Sequence, residues 1–311
     1  MDNLIVIDWG TSHLRAYLCR FSADKKLHLI DTKFGKGVIK CDKKFESELF
    51  ACIDDWHINL GNIPIQMTGQ ISSSIGWKET AYIPCPVTPN NIADSCLTFT
   101  CRGHDISIMP GVSCKIENGH YDVMRGEELQ VLGWLNLHPD NLKGTSLLCL
   151  PGTHTKWVLV EDGKIILFKT AMTGELFDLL NHQSVLIEKP SRYFNIEAFK
   201  KGAKYTLESE QGNFTHGIFS VRSNQLFGKL SQEEASSYLS GLLIGSDVRA
   251  AIHASEWDIM ALNKVIIIGE KHLSECFSAV LSMSNIESII CDEKNTIISG
   301  FSKLNHSTNN S

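Results

Sequence analysis

The sequence lacks the features that mark membrane, secreted and metal-stapled proteins. No apolar run approaches the ~20 residues that a membrane-spanning helix needs, and the longest, such as 265–268, have the length of a strand. The first residues do not form a basic segment followed by a long apolar one, so we expect no secretory signal peptide. The chain has 10 cysteines, but no pair has C-x-x-C spacing. We therefore expect reduced thiols, a cytoplasmic protein and no structural zinc module.

An excess of positive charge is also missing. The chain has 29 Lys and Arg against 35 Asp and Glu, a net charge of −6. This balance argues against a nucleic-acid partner and against binding to a membrane surface. The P-loop, G-x-G-x-x-G, H-E-x-x-H and G-x-S-x-G motifs are absent as well, which removes several common enzyme classes.

What the chain does contain is one pattern that occurs twice in its 311 residues. Apolar residues 4–8 predict a strand, Gly10-Thr11-Ser12 a turn, and 13–20 and 27–34 two further strands. The order of strand, Gly-Thr turn, strand and strand is repeated later, by residues 147–150, Gly152-Thr153-His154, 156–161 and 165–170. Asp162-Gly163, between the last two of these strands, is a sequence typical of a β-hairpin turn. The repetition predicts two related α/β halves. We place a first lobe at 1–140 and a second at 141–311, with the last helix a candidate to return to the first lobe.

Helical patterns follow each of these strand groups. Periodic apolar residues predict helices at 44–60 and 127–137 and a closing helix at 294–304. Ser231-Gln232-Glu233-Glu234 is a capping box before a helix that runs to about 253. Ser237, Gly241 and Gly245 recur every four residues of it, which predicts close approach of another element. Strands are predicted at 63–68, 106–109, 264–268 and 286–290.

Two glycine turns are the candidate phosphate sites. Phosphate is bound by backbone N–H groups in a concave turn without bulky side chains, and both Gly10-Thr11-Ser12 and Gly152-Thr153 satisfy that requirement. Asp8 ends the strand before the first turn and could hold the water shell of Mg²⁺, which proteins bind through one or two carboxylates together with substrate phosphates. The alternative is that both segments are simple hairpin turns.

A second group of candidates surrounds the start of the helix at 127. Gly126 precedes Glu127 and Glu128, and a helix N-terminus favours ionised carboxylates. The two glutamates could serve only to stabilise the start of the helix, or one of them could act as a catalytic base. Arg125 could be a surface residue or an anion ligand. Met172-Thr173-Gly174-Glu175 could be a cleft loop or an ordinary helix N-terminus.

Taken in order, these segments resemble a known superfamily. The segments are similar in type and order to those of the actin/hexokinase/Hsp70 ATP-binding folds. The stretches that carry this similarity are 6–15, 68–77, 123–133, 151–157, 172–176 and 239–245, together with Gly269 after its strand. More narrowly, they resemble the family of 2-dehydro-3-deoxygalactonokinases. The resemblance implies a two-lobed α/β fold of the actin/hexokinase (ribonuclease H-like) type, with ATP and Mg²⁺ in its cleft.

The resemblance also implies roles for individual residues. Asp8 matches the magnesium-associated aspartate, and Glu127 takes the place of the catalytic base. The residues implied to bind ATP are Gly10, Thr11, Ser12, Gly152, Thr153, His154 and Gly269. For the carboxylate of the sugar acid, the candidates are Arg125, Ser72, Ser73 and Ser74.

The activity that the resemblance implies is phosphorylation of 2-dehydro-3-deoxy-D-galactonate at its terminal C6 hydroxyl, in the breakdown of D-galactonate. One alternative is a phosphoanhydride hydrolase on the same fold, and another is a kinase of a related acid such as 2-dehydro-3-deoxygluconate. A repressor or a chaperone of this superfamily would need an additional domain for DNA or peptide, for which we find no segment. The sequence leaves the oligomeric state open, with a homodimer as one option.

Overall fold

A computed structural model describes residues 2–116, 119–209, 214–262 and 264–307. The strands are β1 (Asn3–Trp9), β2 (His13–Phe21), β3 (Leu27–Lys36), β4 (Ile65–Thr68), β5 (Tyr82–Pro84), β6 (Leu97–Cys101), β7 (His104–Ile108), β8 (Gly111–Lys115), β9 (Tyr121–Met124), β10 (Thr145–Leu150), β11 (Thr155–Glu161), β12 (Lys164–Ala171), β13 (Val265–Gly269) and β14 (Ser288–Asp292). The helices are α1 (Phe45–Leu60), α2 (Pro89–Asp94), α3 (Glu127–Leu137), α4 (Thr173–Gln183), α5 (Ile196–Glu208), α6 (Phe214–Ile218), α7 (Ser220–Leu226), α8 (Gln232–Ile252), α9 (Lys271–Met283) and α10 (Glu293–Ser307).

The chain divides into two compact units. Unit 1 comprises Met1–Thr145, Val160–Phe168 and Asp292–Ser311, and unit 2 comprises Ser146–Leu159 and Lys169–Cys291. Helix α10 is therefore grouped with unit 1. Among the described residues, no helix is long and apolar enough to cross a membrane.

Unit 1 is built on a six-stranded sheet of order β3-β2-β1-β4-β7-β6. Strand β1 is antiparallel to β2 and parallel to β4, and its residues Ile5 and Ile7 are fully buried. Helix α1 covers this core with Leu49 and Ile53, which are one turn apart and have no exposed surface. A small sheet of order β5-β8-β9 belongs to the same unit, and the sequence patterns did not predict it.

Two helices of unit 1 pack unusually closely because glycines face each other's backbone. A Cβ on Gly133 of α3 would lie 1.7 Å from the Thr296 carbonyl oxygen of α10, and one on Gly300 would lie 2.1 Å from that of Leu129. Neither position can accept a side chain without separating the helices. The contact fixes α3, whose first turn carries Glu127 and Glu128.

The second large sheet has five strands in the order β12-β11-β10-β13-β14, with β10 parallel to β13, and strands β10 and β13 belong to unit 2. The predicted capping box of α8 is present, because Ser231 Oγ accepts from the Glu234 amide and Glu234 Oε2 accepts from the Ser231 amide. The predicted small-residue face of α8 packs on α5, where a Cβ on Gly241 would lie 2.0 Å from the Phe199 carbonyl oxygen.

The two sheets share one topology. In each, the first strand lies between its hairpin partner and a later parallel strand, giving β3-β2-β1-β4 in the six-stranded sheet and β12-β11-β10-β13 in the five-stranded sheet. The duplicated order confirms the predicted fold class and its two related halves. The strand expected at 286–290 lies two residues later, at Ser288–Asp292. Helices α2, α5, α6 and α7 had no corresponding prediction.

Candidate active site

The first glycine turn joins β1 to β2 and presents unpaired amides. The Gly10 amide donates to the His13 carbonyl at 2.9 Å, and the carbonyls of Gly10 and Ser12 accept from the amides of Val38 and Gly37. Within the described part of the chain, the amides of Thr11 and Ser12 have no hydrogen-bond acceptor. The turn therefore has its carbonyls occupied and N–H donors available, as an anion-binding turn requires.

Asp8, at the end of β1, takes part in a chain of charges. Arg15 Nη1 donates to Asp8 Oδ2 and to Glu293 Oε1, each at 3.0 Å, and Gln130 Nε2 donates to the same Glu293 oxygen at 3.4 Å. Burial raises the pKa of the Asp8 carboxyl, and the Arg15 guanidinium opposes that rise. Asp8 pairs directly with Arg15 in the β1–β2 register, so the hairpin itself brings the two together.

Two glycines closely approach the second oxygen of Asp8. A Cβ on Gly69 would lie 3.3 Å from Asp8 Oδ1 and 2.8 Å from the Trp9 carbonyl oxygen. A Cβ on Gly126 would lie 3.9 Å from the same Oδ1 and 3.3 Å from Gly69 Cα, and both glycines have positive φ, 94° and 109°. Only glycine fits comfortably at such positions. The ends of β1, β4 and β9 thus meet around one carboxylate oxygen.

The arrangement fits a magnesium ion shared with a nucleotide. Nowhere in the described chain do three or more His, Cys, Asp or Glu form a group that could hold a metal by themselves. Magnesium, however, commonly uses one or two protein carboxylates and completes its shell with water and phosphate oxygens. Asp8 Oδ1, which lies beside Gly69 and Gly126, is a donor of that kind.

Glu127 and Glu128 begin α3 and differ sharply in exposure. Glu128 has no exposed surface, and its two carboxyl oxygens accept from the Gly126 amide at 2.9 and 2.8 Å while Thr68 Oγ1 donates to Oε1 at 3.2 Å. Burial, with the charge of Glu127 second, raises the pKa of Glu128 to about 8. Glu127 is half-buried, and its Oε2 accepts from the Arg125 amide at 3.0 Å. The two neighbours therefore have different environments, one closed and one accessible.

Arg125 lies at 6% exposure, with its guanidinium held inside unit 1. Its Nη1 donates to Ser72 Oγ at 2.8 Å and to Thr80 Oγ1 at 2.7 Å, and its Nη2 donates to the Thr80 carbonyl at 2.6 Å. The guanidinium also stacks over the Tyr82 ring at 4.1 Å from the centroid. Arg125 thus fixes the loop that follows β4.

The serines of that loop have different surroundings. Ser72 and Ser73 are buried and donate to the carbonyls of Gly69 and Gln70 at 3.0 and 2.8 Å. Ser74 is exposed. Of the three predicted ligands of the sugar acid, the structure therefore brings Ser72 into contact with Arg125 and leaves Ser74 accessible.

In unit 2 the second glycine turn packs on the start of α4. A Cβ on Gly174 would lie 2.4 Å from the Gly152 carbonyl oxygen, and the Glu175 amide donates to the Thr153 carbonyl at 2.9 Å. His154 Nε2 and Glu175 Oε2 are 2.5 Å apart. The segment 172–175, for which a loop and a helix start were both considered, is the N-terminus of α4.

A cavity of about 420 Å³ opens beside this turn. Gly152, Thr153, Thr173 and Gly174 line it beside the turn, and Leu243, Ile244 and Phe277 give it an apolar wall. The helices α8 and α9 also contribute polar lining residues, namely Ser236, Ser237, Ser240 and His272. Gly269 does not line the cavity; a Cβ on it would lie 3.2 Å from the carbonyl oxygen of Pro151, the residue before the turn. A lining of glycine turn, hydroxyl groups and apolar side chains suits a ligand with an anionic and an aromatic part.

Several residues of these two regions were missed by the sequence reading. Arg15 could have been found from the hairpin register, which places it opposite Asp8. Glu293 gave no signal, because 278 residues separate it from the arginine that it contacts. Thr80 and Tyr82, which hold Arg125, lie in a stretch for which no element was predicted.

A duplicated α/β sheet with a glycine turn after the first strand of each copy, and a carboxylate beside the first turn, is the architecture of the actin/hexokinase class of ATP-binding folds. A sequence profile of the 2-keto-3-deoxy-galactonokinase family matches residues 8–304. The chain belongs to this family and is a sugar kinase, and a kinase of this family uses ATP.

Curated relatives and a solved structure agree with this assignment. The chain is 34% identical to the 2-dehydro-3-deoxygalactonokinase of Escherichia coli (strain K12) over 247 residues, 78% of each chain. It is 31% identical to the "Probable 2-dehydro-3-deoxygalactonokinase DgoK1" of Rhizobium meliloti (strain 1021) over 297 residues, 92% of each. A Sinorhizobium meliloti crystal structure classed with the 2-dehydro-3-deoxygalactonokinases superposes with a TM-score of 0.83 at 28% identity, covering 99% of this chain and 96% of that one.

Proposed function

We propose that the protein transfers the γ-phosphate of ATP to the C6 hydroxyl of 2-dehydro-3-deoxy-D-galactonate, acting in the cytoplasm on a small molecule and without a nucleic-acid partner. The observation that carries the proposal is the family match over residues 8–304. The local geometry supports it, because Gly126 brings the start of α3, with Glu127, close to the Asp8 carboxylate.

Binding and charge neutralisation account for most of phosphoryl-transfer catalysis. In the proposed mechanism the free amides of Thr11 and Ser12 bind phosphate oxygens in unit 1, and the same role is proposed for the turn Gly152–His154 in unit 2. Asp8 would hold Mg²⁺, which would neutralise charge on the transferring phosphate. Arg15 keeps Asp8 oriented through the bond to Oδ2, which leaves Oδ1 available.

Glu127 is the proposed base that accepts the proton of the sugar hydroxyl. A base must come within hydrogen-bond reach of the substrate, and Glu127 has exposed surface whereas Glu128 has none. Gly126, which has no side chain, leaves room beside it. We assign Glu128 a supporting role, since its carboxyl closes the first turn of α3 on Gly126 and Thr68.

The sugar acid is proposed to bind along the loop after β4. Arg125 supplies positive charge there and holds Ser72 in place, while Ser73 shapes the turn and Ser74 faces outward. In unit 2, the cavity next to Gly269 is proposed to take the adenosine of ATP, with the phosphates toward Gly152 and Thr153.

A coupled assay of ADP release over a panel of sugar acids tests the function. We expect turnover with 2-dehydro-3-deoxy-D-galactonate to exceed that with 2-dehydro-3-deoxygluconate and with simple hexoses. Glu127→Gln serves as the control for contaminating kinases. Phosphate release at an equal rate without any sugar acid would instead identify a hydrolase, and a preference for the gluco epimer would change the assigned substrate.

A further inference from the structure

One buried carboxylate of unit 2 has no part in the roles above. Asp247 of α8 is 6% exposed. Trp157 Nε1 of β11 donates to its Oδ1 at 2.8 Å, and Thr173 Oγ1 of α4 donates to its Oδ2 at 2.6 Å. A single side chain therefore joins three elements, each through its own hydrogen bond.

Thr173 is the residue through which this carboxylate reaches the cavity. It is the first residue of α4 and lines the cavity wall. The next two residues shape the phosphate turn, since Gly174 packs on the Gly152 carbonyl and the Glu175 amide donates to Thr153. A Cβ on Gly174 would be only 2.4 Å from that carbonyl, so the start of α4 has little freedom to move relative to the turn.

Asp247 belongs to a helix that itself lines the cavity. Leu243 and Ile244 of α8 line the cavity, and Asp247 follows Leu243 by four residues, which is about one helical turn. The bond from Thr173 to Asp247 therefore connects the helix that forms the apolar wall with the helix that supports the phosphate turn.

The chemistry of the two donors explains why the residue is an aspartate. An indole N–H can only donate, so one oxygen must accept from Trp157. The Thr173 hydroxyl donates to the other oxygen, which leaves its lone pairs free to face the cavity. In an asparagine one of these two acceptor positions would be an N–H donor, so the Thr173 hydroxyl would have to accept and could not donate there. Burying a carboxylate is costly unless such donors are present, and both are.

We propose that Asp247 is a positioning residue for nucleotide binding, which acts through Thr173 to hold the turn Gly152–His154 in register with the apolar wall of the cavity. The inference rests on the proposed function in that the cavity is taken as the nucleotide site. In this proposal Asp247 does not itself contact the nucleotide.

Direct binding of ADP, measured by titration calorimetry, tests the proposal. Thr173→Val removes the hydroxyl and keeps the shape, and Asp247→Ala removes the acceptor. Each is expected to weaken ADP binding about tenfold, as loss of one charge-assisted hydrogen bond predicts. Thr173→Ser retains the hydroxyl and is expected to bind ADP within about twofold of the wild type. The double variant is expected to bind ADP no more weakly than the weaker-binding single variant, because both substitutions remove the same Thr173–Asp247 hydrogen bond.

The controls separate positioning from general destabilisation. Trp157→Phe loses its bond to Asp247 but keeps the Thr173 bond, so its ADP affinity is expected to stay near that of the wild type. Equal affinity of Thr173→Val and Thr173→Ser would overturn the proposal, and so would additive losses in the double variant. If Asp247→Ala fails to fold, the two Thr173 variants still decide. Wild-type protein that binds ADP but turns over no sugar acid would refute the proposed substrate and leave this inference standing.

Discussion

The buried carboxyl of Glu128 predicts an unusual pH dependence of stability. An unfolded glutamate has a pKa of about 4.3, whereas burial beside Glu127 raises that of Glu128 to about 8. Between these values the folded protein holds a proton that the unfolded chain has released. Since stability falls with rising pH wherever the native state binds more protons, Glu128 lowers the free energy of unfolding as pH rises from about 5 to 8.

The size of the effect follows from the same shift. Where the folded protein binds one proton more than the unfolded chain, the free energy of unfolding changes by about 1.4 kcal/mol per pH unit. Across the window from pH 5 to 8, Glu128 alone is therefore expected to remove on the order of 4 kcal/mol. Below about pH 4 the Glu128 carboxyl is protonated in both the folded and the unfolded protein, so it no longer makes the free energy of unfolding depend on pH.

Glu128→Gln isolates this contribution because glutamine keeps the shape and cannot titrate. Urea unfolding at pH 5, 6, 7 and 8, extrapolated linearly to water, gives the free energy at each pH. We expect the variant to lose less stability than the wild type over this range, with the difference growing toward pH 8. Its other titrating groups, including Asp247 with its pKa of about 6, are shared with the wild type and cancel in the comparison.

A matched control is available in unit 2. Glu233 occupies the second residue of α8, as Glu128 does in α3, but is exposed. Glu233→Gln is expected to leave the pH dependence of stability unchanged. Equal slopes for Glu128→Gln and the wild type would refute the reasoning, because they would show that the Glu128 carboxyl is already ionised in the folded protein.

Three further predictions concern activity and binding. Glu127→Gln should lower kcat by about two or more orders of magnitude with little change in the KM for ATP, and Glu128→Gln should cost much less; the reverse order in steady-state assays would make Glu128 the base. Asp8→Asn should lower turnover strongly while circular dichroism shows an intact fold, and normal rates at ordinary magnesium would remove Asp8 from the mechanism. Gly174→Ala should weaken ADP binding at least tenfold, because its Cβ would lie 2.4 Å from the Gly152 carbonyl oxygen; unchanged affinity in calorimetry would contradict the described packing.

The sequence by itself determined the features that depend on short stretches of chain. Asp162-Gly163 sits at positive φ between β11 and β12, and Ser231 with Glu234 forms the cap of α8, because turns and caps involve residues only a few positions apart. The repeated Gly-Thr turns predicted the duplicated fold for the same reason. Each copy carries its own local signal.

Only the tertiary structure decided which side chains meet. Three contacts of the two candidate regions join residues that are far apart in the chain. Glu293 and Arg15 are 278 positions apart, Arg125 and Thr80 are 45 apart, and Asp247 and Thr173 are 74 apart. Such pairs leave no trace in local periodicity. Burial is likewise a property of the whole fold, so adjacent Glu127 and Glu128 look alike in the sequence and differ in the structure. The second is closed off by Gly126 and Thr68, and the first remains accessible, because the helix turns their side chains in different directions.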